Sequence, residues 1–296
     1  MSLKIDPLKK SVMITHGDCP DGSACAAFAK ILVPNVTIIF GIHKIINDQV
    51  MNAISLVEEG GVLWIADIVC DKDYLSMACN ALKNKNASLG IYEHHETRSW
   101  LQKFAAPTEM QSEIIFDNSR CGSKIFYDSY VTTNDSLSKY ADFSKVINDR
   151  DLWINHEVRG IQLAKLHQIY GDEKFVARFL KNPIVQFTSD EKVLLNFVYE
   201  QEKKRIDSAL NRMKIKTDEN GFIYSVVYET SDSSDLLNAA IEKFNLEYAI
   251  MLDLNKGKGS IRGKGNMDCS IYAQNKGGGG HKRASGFPIE FDRPVF

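Results

Sequence analysis

The first half of the chain alternates short apolar runs with segments of helical spacing, and this alternation restricts the possible folds more than any other feature. Five runs are rich in Ile, Val and aromatic residues and are bounded by polar residues or Gly, which is typical of strands. They cover residues 11–16, 36–43, 61–67, 88–94 and 113–117, with helical spacing between them at 24–32, 48–57 and 74–82. This repetition predicts right-handed crossovers and a mostly parallel sheet with helices on both faces.

The second half predicts a connector followed by a smaller unit. Helical patterns at 118–131, 140–147, 159–168 and 172–180 precede a long predicted helix from Thr188 to about Lys214, which turns from apolar to strongly charged. Thr188 and Glu191 have the spacing of a capping box at its start. Strands at 222–229 and 248–254 with a helix at 234–244 follow. We therefore predict a protein of the α/β class. Its catalytic domain covers residues 1–190, a helical connector 191–215 and a C-terminal domain 216–296.

The composition excludes several classes of protein. Of the 296 residues 44% are apolar and 25% are charged, and the net charge is −2. A protein that coats nucleic acid needs a strongly basic surface, so this balance argues against one. No apolar stretch has the length of a transmembrane helix, and we find no signal peptide. The six cysteines form no CxxC pair, so we expect free thiols in a cytoplasmic protein.

Two adjacent histidines, His94 and His95, follow Glu93 at the end of a predicted strand. Side chains of neighbouring residues on an extended segment point to opposite faces, so these two histidines have different tasks. Two other predicted strands also end in ionisable residues, one in His16 and one in Asp67. Ligand sites of open parallel sheets lie outside the carboxyl ends of the strands, so we expect these side chains to share one site.

The residue types at these strand ends indicate a metal centre. A set of Asp and His without cysteine suits Mn²⁺, Mg²⁺, Fe or Zn²⁺, and oxygen-rich ligation favours the harder ions. Several carboxylates in one place repel one another unless cations neutralise them, which favours two metals. Asp149 and Asp151 add two more acids, but at i and i+2 on a helix at most one can face the site. The alternative for that segment is a solvated charge cluster with Arg150 at a helix end.

A second candidate site lies in the glycine-rich segment near the C-terminus. Residues 255–283 carry seven Lys or Arg against a single acid, Asp268, so the chain is acidic everywhere else. The run of Gly277 to Gly280 is followed by His281. Such a run is usually a flexible linker, but here the sequence ends soon after it. The other interpretation is an anion cradle, in which backbone amides without Cβ atoms approach a phosphate.

Taken together, the motifs resemble those of the DHH phosphoesterases that carry the DHH-associated C-terminal domain, in its oligoribonuclease and exonuclease branch. Four segments resemble the family's numbered motifs: THGDCPDGSACAAF, IADIVCD, YEHHET and NDRDLW. FDNSRCGSKIFYDSY resembles the helix start that follows the third of these. SIRGKGNMDCSIYAQNKGGGGHKRASGF resembles the glycine-rich motif of the C-terminal domain. The resemblance covers nearly the whole chain and implies an active site in the cleft between two domains.

The resemblance also implies residue roles. It implies two divalent cations, usually Mn²⁺, and catalytic roles for Asp67 as bridging carboxylate, for Glu93 beside a histidine and for His95 facing the scissile phosphate. The implied metal ligands are His16, Asp18, Asp21, Asp67, His94 and Asp149. The implied substrate-binding residues, which would hold the other phosphates or a terminal nucleotide, are Arg262, Gly278, Gly279, Gly280 and His281.

The chain departs from the family pattern in two places. Glu93 stands where the family has Asp, and its extra methylene still allows the carboxylate to reach a histidine. The first motif has the spacing His16-x-Asp18-x-x-Asp21, which leaves open which of the two aspartates binds metal, and Ser23 stands where a second Asp is usual. Asp149 and Asp151 are likewise alternatives.

The function that follows from the resemblance is hydrolysis of phosphodiester bonds at one end of short oligonucleotides or linear dinucleotides. A near-neutral charge with one basic segment fits a short substrate better than a long duplex. The alternatives are a phosphomonoesterase or exopolyphosphatase on the same centre, or a nucleotide-binding protein with weakened catalysis. We expect a short single-stranded oligonucleotide or other small phosphoester as partner, no membrane, and a homodimer as one arrangement.

Overall fold

The computed structural model describes residues 3–230 and 233–289. The chain folds into two compact units, Met1–Leu195 and Asn196–Phe296. The predicted division into 1–190, 191–215 and 216–296 stays a prediction. Within the described residues, no helix combines the length and the apolar character that a membrane crossing requires.

The first unit is built on a five-stranded sheet. Its strands are β1 (Val12–His16), β2 (Thr37–Gly41), β3 (Val62–Ala66), β4 (Ser88–Glu93) and β5 (Ser112–Phe116). Their order in the sheet is β2-β1-β3-β4-β5, and every neighbouring pair is parallel. The predicted parallel α/β fold is therefore confirmed, and each strand lies within two residues of its predicted bounds.

Helices cover both faces of this sheet. The helices of the unit are α1 (Pro20–Leu32), α2 (Ile46–Leu56), α3 (Lys72–Asn84), α4 (Gly122–Tyr130), α5 (Ala141–Asp151) and α6 (Val158–Lys181). One core joins Trp64 of β3 to Phe28 of α1 and Phe126 of α4. The other core joins Leu63 of β3 to residues of α2 and α3. Because successive strand residues point to opposite faces, the unbroken apolar sequence of β3 serves both cores.

Helix α6 is interrupted, as the separate patterns at 159–168 and 172–180 predict. Gly171 has φ 68° and ψ 173°, which are not helical angles. The backbone therefore changes direction there, and Asp172 begins the second half of the helix.

The second unit contains a mixed sheet. Helix α7 (Ser189–Arg212) spans the boundary between the units, and the helices α8 (Ser233–Phe244) and α9 (Cys269–Gln274) follow. The strands are β6 (Ile215–Thr217), β7 (Ile223–Tyr228), β8 (Tyr248–Asp253), β9 (Lys258–Gly263), β10 (Gly279–His281) and β11 (Ala284–Pro288). Their order is β10-β11-β9-β8-β7-β6, and only β7 and β8 pair in parallel.

The capping box at the start of α7 is confirmed. The Thr188 N–H donates to Glu191 Oε2 at 2.8 Å, and the Glu191 N–H donates to Thr188 Oγ1 at 3.1 Å. Each side chain therefore satisfies a backbone donor that the first helical turn leaves without a partner.

The glycine-rich segment is part of the second sheet and not a flexible linker. Gly279 and Gly280 pair with Gly286 and Ser285 of β11. A Cβ on Gly278 would lie 2.1 Å from the Gly286 carbonyl oxygen. Such close backbone packing requires glycine.

Two glycines of the first unit bring helix starts against strand ends. A Cβ on Gly22, in the first turn of α1, would lie 1.9 Å from the His16 carbonyl oxygen. A Cβ on Gly122, at the start of α4, would lie 2.9 Å from Asp67 Cβ. Since no side chain fits at either place, the two helices begin directly beside the residues that end β1 and follow β3.

This packing gives a test of the fold. We predict that Gly22→Ala lowers the free energy of unfolding by about 1–3 kcal/mol or more, because the methyl group collides with backbone that has no room to yield. Urea denaturation followed by circular dichroism measures the change. Gly279→Ala is the control, since its methyl group would meet nothing within 4 Å. Equal stability of the Gly22→Ala variant and the unaltered protein would contradict this account of the packing.

Candidate metal centre

The strand order of the first sheet creates a ligand-binding position. β2 lies on one side of β1 and β3 lies on the other, so the chain reverses its direction of progress across the sheet between them. In open α/β sheets, ligands bind at the carboxyl ends of the strands at such a switch point. His16 ends β1, Asp67 follows β3, and Glu93 ends β4. The structure therefore brings the three predicted strand ends together.

The Asp67 carboxylate lies at the middle of this group. Its Oδ2 is 3.7 Å from His16 Nδ1, and its Oδ1 is 3.2 Å from His94 Nε2. Asp67 is 1% exposed, and its φ of 59° is left-handed, a backbone conformation unusual for a residue other than glycine. Its N–H donates to the Tyr92 carbonyl oxygen at 3.0 Å, which ties this conformation to β4. Each carboxylate oxygen thus faces a different histidine.

Asp151, and not Asp149, lies beside His94. Asp151 Oδ2 is 3.6 Å from His94 Nε2. Asp149 instead accepts backbone N–H groups of His156 at 3.3 Å and Glu157 at 2.9 Å, so it orders the loop before α6. Of the two acids that the sequence leaves open, the geometry favours Asp151 as the ligand.

Asp21 lies in the centre, whereas Asp18 does not. Asp21 is 1% exposed, and its Oδ1 accepts the Ser123 N–H at 3.0 Å from the first turn of α4. Asp18 has an exposed side chain, and it belongs to none of the candidate ligand groups found among the described residues. The geometry therefore favours Asp21 in the first motif.

Among the residues that the structure describes, three groups of side chains have ligand atoms within 4.8 Å of one another. They are His16, Cys19 and Asp67; Asp67, His94 and His95; and Asp21, Cys121 and Asp151. Two of these groups include a cysteine, whereas the ligands expected from the sequence are only Asp and His. Cys19 lies between Asp18 and Asp21 in the sequence, and this position could have indicated that it is near the site. Cys121 precedes α4, far from the other residues of its group in the sequence.

The electrostatics of this centre fit divalent cations. Burial, together with the negative charge of Asp67, raises the pKa of Asp21 to about 8. Burial alone would lower the pKa of His94, but Asp67 and Asp151 raise it to about 10. Asp21 Oδ2 and Asp67 Oδ2 are buried and make no hydrogen bond of acceptable geometry. The proton on Asp21 and the positive charge of His94 thus compensate the charge of the neighbouring carboxylates. Bound cations would take over this role.

Glu93 acts on His95. Its Oε1 accepts the backbone N–H groups of His94 at 2.7 Å and His95 at 2.9 Å, and it lies 2.6 Å from His95 Nδ1. Burial alone would lower the pKa of His95, but the hydrogen bond and charge of Glu93 raise it. Glu therefore orients the second histidine of the motif, as a carboxylate partner of an imidazole does.

A polar network that the sequence did not predict holds the loop between β1 and α1. Asp172 Oδ2 accepts the Asp18 N–H at 3.0 Å, and Asp172 Oδ1 accepts the Ser23 hydroxyl at 2.8 Å. His167 Nε2 lies 2.9 Å from Asp172 Oδ1 and 3.1 Å from Ser23 Oγ. The break at Gly171 places Asp172 where it reaches this loop. The sequence signals the break, but it gives no sign of the partners.

The predicted phosphate-binding residues lie in the second unit. Arg262 on β9 and His281 on β10 are both paired with Ala284 on β11, one from each side. Residues directly opposite in antiparallel pairs project from the same face of a sheet, so both side chains share one face. Arg262 Nη2 donates to Ser234 Oγ at 2.7 Å. Gly278 precedes β10, and Gly279 and Gly280 form its first two residues.

Comparison with solved structures shows the same fold at low sequence identity. The DHH domain of a member of the S1p family of ribosomal proteins has a TM-score of 0.60 at 11% identity, over 94% of this chain and 82% of that one. An exopolyphosphatase-related protein from Bacteroides fragilis has a TM-score of 0.53 at 14% identity, over 97% and 88%. A pGpG-specific phosphodiesterase from Vibrio cholerae has a TM-score of 0.50 at 14% identity, over 95% and 94%.

These similarities establish the fold and not the activity. The chain has the α/β fold of these solved structures, among them a DHH domain. No protein-family profile matches the sequence, and no curated protein matches it either. Assignment to the branch with the DHH-associated C-terminal domain stays a prediction.

The pKa shifts predict how stability depends on pH in protein freed of metal. The pKa of Asp21 is about 8 in the folded chain, whereas an unfolded aspartate has a pKa near 4. The folded protein therefore holds a proton that the unfolded protein has released, and the free energy of unfolding falls as pH rises from about 4 to about 8. The raised pKa of His94, about 10, continues this fall above pH 8.

Urea denaturation in chelator from pH 5 to 9 measures this dependence. We expect Asp21→Asn to flatten the fall below pH 8 and to stabilise the metal-free protein at pH 8, because it removes the buried charge. Asp142→Asn, at a half-exposed carboxylate paired with Arg159, is the control and should keep the slope. If the free energy of unfolding fell with pH equally steeply in Asp21→Asn and in the unaltered protein, the fall would not come from Asp21.

The network around Asp172 gives a second prediction. Asp172→Asn should lower the free energy of unfolding by about 1–3 kcal/mol, because Asn offers one acceptor oxygen where the carboxylate offers two. It should also weaken cation binding by about 10-fold or more, since the loop that leads into α1 loses its support and Asp21 lies in the first turn of that helix. Isothermal titration with Mn²⁺ measures the second effect. Unchanged affinity and stability would show that the loop does not depend on Asp172.

Proposed function

We propose that the chain is a phosphoesterase that requires two divalent cations and hydrolyses the terminal phosphodiester bond of short oligonucleotides or linear dinucleotides. The observation that carries the proposal is the buried Asp67 carboxylate between His16 and His94, with a second buried carboxylate, Asp21, that also has an oxygen without a hydrogen bond. Carboxylates and imidazoles at the switch point of a parallel sheet suit divalent cations, which would in turn bind phosphate oxygens.

The ligand set divides into two parts that share Asp67. His16 lies on one side of this carboxylate, and His94 lies on the other with Asp151 beyond it. Asp21 belongs to the same group as Asp151. The motif resemblance implies Mn²⁺ as the cation. Two bound cations would supply a water of lowered pKa and would stabilise the charge that develops on the attacking and leaving oxygens.

His95 has a different task from His94. Glu93 holds its Nδ1, which fixes the orientation of the ring. Its raised pKa favours the protonated form, and an imidazolium donates to a phosphate oxygen. His95 thus binds the scissile phosphate while His94 belongs to the cation centre, and Glu93 stabilises the charge on His95.

The second unit would select the end of the substrate. Arg262 and His281 share a face of its sheet, and Gly279, in the same strand as His281, has open space where a Cβ would stand. Cations and backbone N–H groups of this kind bind phosphate. A substrate of a few nucleotides matches a chain whose net charge is −2 and whose basic residues are concentrated in residues 255–283.

Substitution of Asp67 tests the proposed activity. With Mn²⁺, we expect the protein to release mononucleotides from di- to pentaribonucleotides. Asp67→Asn should lower kcat/KM on the order of 10³-fold, because it removes the charge of the carboxylate between His16 and His94, which would hold the cations, at a cost of several kcal/mol. Chromatography of the products measures the rate, and Asp142→Asn is the matched control, since its carboxylate pairs with Arg159 at the surface.

Other outcomes of the same assay separate the alternatives. Phosphate release from polyphosphate without mononucleotide release from RNA would favour an exopolyphosphatase. Release of phosphate only from nucleoside bisphosphates would favour a phosphomonoesterase. Nucleotide binding with no hydrolysis of any of these phosphoesters, despite bound cation, would indicate a nucleotide-binding protein with a weakened centre.

A further inference from the structure

Two cysteines occupy the N-cap positions of the helices that border the cation centre. Cys19 directly precedes α1, Cys121 directly precedes α4, and neither side chain makes a capping hydrogen bond. N-cap positions favour Ser, Thr, Asp or Asn, whose oxygens accept backbone N–H groups, and Cys serves this purpose poorly. The placement of these two thiols therefore calls for an explanation other than helix capping.

Each thiol belongs to a different candidate ligand group. The Cys19 sulfur lies within 4.8 Å of ligand atoms of His16 and Asp67, and the Cys121 sulfur lies within the same distance of Asp21 and Asp151. Cys121 is fully buried, and Cys19 is partly buried. The other cysteines of the first unit, Cys25, Cys70 and Cys79, belong to none of the candidate groups among the described residues.

Each of these two groups also contains a buried carboxylate oxygen that a cation could bind. One is Oδ2 of Asp67, which shares a group with Cys19. The other is Oδ2 of Asp21, which shares a group with Cys121. Both aspartates are 1% exposed, and neither oxygen makes a hydrogen bond of acceptable geometry. A buried carboxylate oxygen without a partner is costly unless a cation binds it. The two thiols are therefore next to the places where cations would be bound.

We propose that Cys19 and Cys121 are metal ligands, one at each end of the centre, and that they raise its affinity for thiophilic cations such as Cd²⁺ and Zn²⁺. The inference rests on the cation centre of the proposed function and adds sulfur to its Asp and His ligands. Soft thiolates favour Zn²⁺ and related ions, whereas carboxylates favour Mg²⁺ and Mn²⁺. On binding, the S–H bond of each thiol breaks, a sulfur–metal bond forms, and the proton goes to solvent.

The helix starts favour this role. The N-terminus of a helix carries a partial positive charge, which favours a thiolate, whereas burial and the neighbouring aspartates raise the pKa of both thiols, so each keeps its proton until a cation binds. α1 has 13 residues and α4 has 9, so both are long enough to contribute. The close packing at Gly22 and Gly122 holds these helix starts against His16 and Asp67. The sulfur atoms thus have fixed positions relative to the other ligands.

Cobalt spectroscopy tests the proposal without any measurement of activity. The full-length protein is freed of metal with chelator and titrated with Co²⁺, and we expect a sulfur-to-cobalt charge-transfer band in the near ultraviolet. Cys19→Ser and Cys121→Ser should each reduce the band, and the double variant should lose it. Serine caps helices well, so these variants should keep their fold. Cys79→Ser, at a buried cysteine of α3, is the matched control and should keep the full band.

A competition experiment measures the predicted selectivity. Cys121→Ser should weaken Cd²⁺ binding by about 10- to 100-fold, since loss of a ligand should cost no less than loss of a residue that supports one. Mn²⁺ binding should change less, because this ion prefers oxygen. Fewer protons should be released into weakly buffered solution when Cd²⁺ binds to the variant.

The outcomes distinguish this inference from the proposed function. Stoichiometric Co²⁺ binding without a charge-transfer band would overturn the role of the thiols, and Mn²⁺-dependent hydrolysis of phosphodiesters would still stand. The same conclusion would follow if Cd²⁺ affinity were equal in Cys121→Ser and the unaltered protein. Absence of Co²⁺ binding together with absence of hydrolysis would overturn both.

Discussion

The first unit is organised around one buried carboxylate. Asp67 follows the central strand β3 and has a histidine on each side, from β1 and from the end of β4. Its left-handed backbone is bonded to β4, and Gly122 leaves room for α4 to begin against it. A charge at this depth is tolerated only with opposite charge around it. The parallel strand order brings the two histidines to Asp67, and Gly122 allows α4 to begin beside it.

Much of the fold follows from the sequence because its strongest signals are local. The strands of the parallel sheet are continuous apolar runs, and their bounds were predicted within two residues. Strands β9 to β11 were missed because their sequences are rich in Gly, Ser and charged residues. Their order comes from pairing with β8 and with one another, which no periodicity in a single segment reveals.

The site was predictable in part, for a related reason. The strand ends His16, Asp67 and His94 were identified because parallel strands present their carboxyl ends at one edge. The choice between Asp149 and Asp151 depends on where α5 ends and on the backbone donors near it, which spacing does not fix. The rule of paired cysteines overlooks Cys121, because its neighbours are aspartates from other elements. Asp172 acts through a contact with a loop about 150 positions earlier in the chain.

The added methylene of Glu93 has a defined geometric use. It lets one oxygen turn back toward two backbone N–H groups and the His95 ring at the same time. His94 is left to Asp67 and Asp151. The two adjacent histidines thus have separate carboxylate partners, and a change at position 93 acts on the second histidine first.

Gly171 shows that empty space around a residue is no measure of its freedom to vary. A Cβ there would meet nothing within 4 Å, yet the φ of 68° strains any other residue. The angle sets the direction in which the second half of α6 begins at Asp172, and Asp172 bonds the loop before α1 and Ser23 in that helix. We expect a variant at this position to lose the bonds that Asp172 makes to that loop and therefore to bind cations more weakly. Surveys that rank positions by crowding alone would overlook it.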